Sequence, residues 1–106
     1  MKVLIWGFRT KEEIDAVMQK LIPAQLGYLF YVVSMGEEGA AAQWARWRGA
    51  PLLKLGFRVS ELEGDKRLEY LARKVDYMVY KRREGDNVGR RLLMMLKGEG
   101  KHGTVL

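Results

Sequence analysis

The chain has 106 residues, a length that suits one domain with a single core burying roughly 60–70% of its unfolded surface. Hydrophobic residues make up 48% and charged residues 30%, which excludes intrinsic disorder, and a formal net charge of +6 favours an anionic partner: a nucleotide, a nucleic acid or an acidic protein. The lack of cysteine excludes disulfides, thiolate catalysis and thiolate metal sites, and with His102 as the single histidine no metal centre is expected.

Val3-Leu4-Ile5-Trp6 is a compact apolar run ending at Gly7, the pattern of a central parallel strand buried on both faces. After the loop Gly7-Phe8-Arg9-Thr10, Thr10 and Glu13 form a capping-box pattern, and Ile14, Val17, Met18 and Leu21 follow at helical spacing. That helix ends before Pro23. Leu29 to Val33 reads as a second strand, and Gly39 to Arg48 as a second helix stopped by Gly49 and Pro51. Leu52 to Leu55 is a third strand. Arg58 to Gly64 reads as a loop or short turn, followed by a helix around Asp65 to Lys74 whose apolar face is Leu68, Leu71, Ala72 and Val75. Asp76 to Tyr80 is a fourth strand and Lys81 to Asn87 a loop, in which Asp86 or Asn87 caps a last helix from Val88 to Lys97. Gly98 to Gly103 is a glycine-rich turn leading to a short edge strand at Thr104-Val105-Leu106.

Five strands alternating with four helices predict a single α/β domain. Its expected form is a Rossmann-like three-layer sandwich of about five mostly parallel strands with helices on both faces. Ligands of such sheets bind beyond the carboxyl ends of the strands, where the strand order reverses. Gly7-Phe8-Arg9, Ser34 to Gly39 and Lys81 to Asn87 then share one rim, joined by Arg58 and the start of the third helix.

Within that rim, Phe30 to Trp44 runs strand, glycine loop, alanine-rich helix. Backbone N–H groups and the positive helix end there suit an anionic group; an ordinary βα turn has the same pattern. Arg9 follows a strand end and a glycine, where its fork can reach phosphate bidentately. Lys66, Arg67, Arg90 and Arg91 lie near helix starts, an unfavourable place for a cation unless an anion lies between them. They therefore rank above Lys81-Arg82-Arg83, which reads as blunting a strand end. Phe8 and Tyr80 either stack on a base or pack against neighbouring loops. Trp44 and Trp47 pack in the core or across an oligomer interface. The run Leu92-Leu93-Met94-Met95-Leu96 is apolar around the whole helix and points to a homodimer or higher homo-oligomer. Leu26 to Val33 is too short to cross a bilayer and the N-terminus lacks a signal-peptide layout, so a cytoplasmic chain with no membrane partner is expected.

Nearly the whole chain resembles the SLOG superfamily of Rossmann-like nucleotide-binding domains, in its small single-domain YspA/YpsA-related branch. The resemblance is carried by Gly7-Phe8-Arg9, by Ser34-Met35-Gly36-Glu37-Glu38-Gly39-Ala40-Ala41 with Trp47, by Gly64-Asp65-Lys66-Arg67-Leu68, and by Gly89-Arg90-Arg91-Leu92. The chain departs from the family where Met35 replaces a glycine, Ala41 an acidic residue and Leu68 an asparagine. The Pro-Gly-Gly-x-Gly-Thr-x-x-Glu signature of the catalytic LOG relatives is absent. The resemblance implies a nucleotide or nucleotide-derived ligand held by Gly7, Phe8, Arg9, Ser34, Met35, Gly36, Glu37, Glu38, Gly39, Arg58, Lys66, Arg67, Gly89 and Arg90, without a cofactor.

The lost motif residues favour capture over turnover. A specific form is a phage-encoded protein that sequesters a host immune signalling nucleotide, either a cyclic nucleotide or an ADP-ribose derivative. The alternative is a hydrolase of nucleotide or nucleoside N-glycosidic bonds using Glu37 or Glu38 as acid/base. Nucleic-acid binding ranks third, because no ladder of aromatic and basic residues is present.

Overall fold

The computed structural model describes residues 1–21, 30–34, 39–55 and 65–106. Strands β1 (Lys2–Trp6), β2 (Tyr31–Ser34), β3 (Leu52–Lys54), β4 (Tyr77–Tyr80) and β5 (His102–Val105) alternate with helices α1 (Lys11–Leu21), α2 (Ala40–Arg48), α3 (Asp65–Lys74) and α4 (Asn87–Gly98). They form a five-stranded sheet of order β3-β2-β1-β4-β5, parallel at every pairing. The predicted α/β sandwich is the observed one.

Alternation along the strands sorts the core into two layers. Val3 and Ile5 of β1, Val32 of β2 and Val79 of β4 pack with Ile14 and Met18 of α1 and Trp44 of α2. Leu4, Val33, Met78 and Tyr80 point the other way, onto Leu68 and Leu71 of α3 and Leu92 and Leu96 of α4. Central strands buried on both faces carry continuous apolar runs, which is why β1 and β4 were legible without alternation. Each fully buried Leu contributes about 1.5–3 kcal/mol. Leu68 is wholly buried, so this position of α3 serves packing.

The helix ends follow local chemistry. Thr10 Oγ1 accepts from the Glu13 N–H at 3.2 Å, as the capping-box spacing predicts. Gly49 closes α2 in the left-handed region with φ 70°. Asp86 caps α4, accepting the Gly89 N–H at 2.9 Å. The Lys101 ammonium donates to the carbonyls of Ala72 at 2.7 Å and Arg73 at 2.9 Å, closing the C-terminus of α3.

The last strand differs from expectation: β5 begins at His102 and takes in Gly103, which the sequence reading places in a turn. A Cβ at Gly103 would lie 2.8 Å from the Met78 carbonyl oxygen, so the glycine lets the edge strand lie flush on β4. Leu29, the loop Met35 to Glu38 and the segment Arg58 to Gly64 lie outside the described residues.

Candidate functional site at the carboxyl edge of the sheet

The strand order reverses between β1 and β4, so the loops after these two strands flank the topological switch point. Trp6 ends β1 and pairs with Tyr80, the end of β4. Gly7 then turns with φ 90°, and a Cβ there would sit 2.0 Å from the Lys81 carbonyl oxygen. Only glycine accepts both the backbone angle and the contact.

Arg83 crosses from the second loop to the first. Its Nε donates to the Gly7 carbonyl oxygen at 2.8 Å, and its terminal nitrogen Nη2 pairs with Glu13 Oε2 at 3.2 Å. The other carboxylate oxygen of Glu13 accepts the Arg9 N–H at 3.3 Å. The Arg83 and Glu13 side chains are 31% and 38% exposed, and an ion pair this open contributes at most about 1 kcal/mol. The guanidinium is thus held at the switch point by a firm backbone contact and a weak, exchangeable carboxylate contact.

Behind this pair lies a polar hub. Asp86 Oδ2 accepts from Trp6 Nε1 at 3.0 Å and from the Tyr80 hydroxyl at 3.3 Å, while its other oxygen holds the Gly89 N–H. A Cβ on Gly89 would come within 2.4 Å of Asp86, 2.8 Å of the Tyr80 ring and 2.9 Å of the Trp6 nitrogen. Burial, then the Asp86 charge and its hydrogen bond, raise the pKa of the Tyr80 phenol, which stays a donor at neutral pH.

Of the residues predicted to bind a ligand, Gly7, Phe8 and Arg9 meet at this edge. Arg9 is exposed, while Phe8 is partly buried against the α1/α2 layer. Gly89 and Arg90 start α4 beside the Asp86 hub. Gly39 precedes α2 with φ 126° and gives it no side-chain cap. Ser34 ends β2. Lys66 and Arg67 are exposed in the first turn of α3, where Arg67 has a partner. Met35, Gly36, Glu37, Glu38 and Arg58 lie outside the described residues. Tyr80 is 1% exposed, so its ring is a wall of the core and not a stacking platform.

Sequence reasoning ranked the Lys81-Arg82-Arg83 run low and saw Asp86 only as a cap. The importance of Arg83 and the Trp6–Asp86 contact emerges from the pairing of β1 with β4. The single sequence-level sign of it was a glycine directly after an apolar strand.

A second polar cluster lies between α1 and α2. Asp15 receives Arg48 Nε at 2.8 Å and Nη2 at 2.6 Å, Trp44 Nε1 at 3.0 Å and Gln19 Nε2 at 2.9 Å. The Arg48 fork, then the Trp44 N–H, hold its carboxyl pKa down at about 2. The cluster borders a cavity of about 510 Å³ that Met18, Phe30 and Pro51 also line. Its donors and acceptors are matched to one another, and its work is to clamp α1 to α2.

Among the described residues, no group of three or more His, Asp or Glu is placed to hold a metal ion. No helix among them is long and apolar enough to cross a membrane. Comparison with protein-family models, curated proteins and solved structures gives no match.

Proposed function

We propose that this chain is a small SLOG-like protein that binds a nucleotide or nucleotide-derived anion at the carboxyl edge of its sheet and releases it unchanged. The observation that carries this reading is the Arg83 guanidinium, fixed by Gly7 at the point where the strand order reverses. A ligand phosphate can replace Glu13 on the guanidinium for little cost, because the exposed ion pair it displaces is weak. Arg9 stands exposed at the same turn, and the net charge of +6 draws anions to the surface. The specific form of the proposal is a capture protein for a signalling nucleotide of the cyclic or ADP-ribose-derived class.

The test is incubation with cyclic dinucleotides, cyclic mononucleotides and ADP-ribose derivatives, read first by thermal shift and then by mass analysis of what heat denaturation releases. Intact ligand, recovered in proportion to protein, supports capture. Chemically altered ligand identifies an enzyme, and no melting shift with any member of the panel overturns the reading.

A further inference from the structure

Arg82 and Arg83 are neighbours that serve opposite sides of the loop after β4. Arg83 reaches Gly7 and Glu13, while Arg82 lines a cavity of about 470 Å³ together with Tyr80, Arg90, Leu93 and Met94. Arg82 and Arg90 come from different elements, a loop and the helix α4, yet border one hollow. Neither guanidinium has a hydrogen-bond or ion-pair partner among the described residues. The carboxylate of Asp86 does not supply one, since it is committed to Trp6, Tyr80 and Gly89. Like charges around one hollow repel unless an anion enters between them.

The rest of the lining sets the other half of the ligand. Leu93 is half-buried and Met94 is 71% exposed, so the hollow offers an apolar surface directly beside its cations. The thioether of Met94 adapts to flat or irregular apolar bodies. Guanidinium forks match the oxygens of a phosphoryl group better than they match a point charge. A bare inorganic anion uses only the arginines. A neutral apolar molecule uses only the floor.

We infer that this hollow is a second ligand site, separate from the Gly7–Arg83 edge. It takes a phosphate monoester whose phosphoryl group lies between Arg82 and Arg90 and whose apolar body lies on Leu93 and Met94. The inference is independent of nucleotide capture at the switch point.

The test is a titration of protein carrying ¹³C-methyl methionine with phenyl phosphate, inorganic phosphate and benzyl alcohol, the Met94 signal being assigned by Met94→Leu. Phenyl phosphate moves the Met94 methyl saturably, about tenfold more tightly than inorganic phosphate, and Arg82→Gln and Arg90→Gln each weaken it by about tenfold. Both side chains are exposed, so these variants keep the fold, which the unchanged signals of the methionines other than Met94 verify. Arg83→Gln leaves the response intact, whatever it does to nucleotide binding at the other site. An equal shift with benzyl alcohol, an undiminished response in the Arg82→Gln/Arg90→Gln double variant, or loss of the response in Arg83→Gln would each overturn the inference.

Discussion

Arg83 Nε lies 2.8 Å from the Gly7 carbonyl oxygen, and that bond ties the loop after β4 to the turn after β1. It gives the guanidinium a fixed position while its far edge remains with an exposed carboxylate. A cation held in this way is oriented before a ligand arrives, which reduces the ordering cost of binding.

Arg83→Gln therefore separates binding from folding. The variant loses one hydrogen bond and one open ion pair, so its unfolding free energy falls by only about 1–2 kcal/mol in urea titration. Nucleotide affinity falls by about tenfold or more by calorimetry, because a charge-assisted contact to phosphate is lost. Equal affinity in the variant and the parent would remove Arg83 from the site.

Gly7→Ala is far less tolerable. The new methyl carries a positive φ and meets backbone, not a flexible side-chain end, at 2.0 Å. A cost above about 3 kcal/mol follows from adding overpacking to backbone strain. Loss of the cooperative melting transition, or a melting point lowered by well over ten degrees, is the expected outcome by circular dichroism.

Gly89→Ala isolates the Asp86 hub. Its φ is ordinary for a helix, so strain comes only from crowding against Asp86, Tyr80 and Trp6. Denaturant midpoints fall by an amount equivalent to about 1–3 kcal/mol with an unchanged slope. The Trp6 indole N–H resonance shifts as its bond to Asp86 loosens.

Asp15 confers an acid-sensitive component of stability. Its folded pKa of about 2 lies below the ordinary value of 3.8. The stabilisation is present in full above the ordinary value and disappears as pH falls through about 2, because the unfolded chain takes up the proton first. Urea unfolding of the parent and of Asp15→Asn as a function of pH tests this. The stability gap between them narrows steadily from pH 4 to pH 2, and a constant gap contradicts the assignment.

Local chemistry made much of the fold legible from sequence. Thr10 and Glu13 marked the start of α1, Gly49 and Pro51 the end of α2, and the Leu68, Leu71, Ala72 spacing the buried face of α3. The start of β5 was missed because Gly103 reads as a turn residue until Met78 is seen pressed against it. The site was less legible for a physical reason. Arg83 and Asp86 act on Gly7 and Trp6, partners 76 and 80 positions away along the chain. No periodicity or cap connects residues so distant; only the insertion of β1 between β2 and β4 does. Leu92 and Leu96, in a run that is apolar all round, proved to be core residues, while Met94 faces outward.

The strand order also fixes the sequence in which this protein can become competent. β1 is made first but sits at the centre of the sheet, and its β4 neighbour is made only after β2, α2, β3 and α3. Pairing contacts so far apart in sequence form late and slowly, because the intervening chain must first be closed into a loop. The Gly7–Arg83 edge, with one wall from each half of the chain, does not exist in an N-terminal fragment that stops before Arg83. On the proposed function, an anion bound there would draw the whole domain toward the folded state by mass action instead of rigidifying one loop.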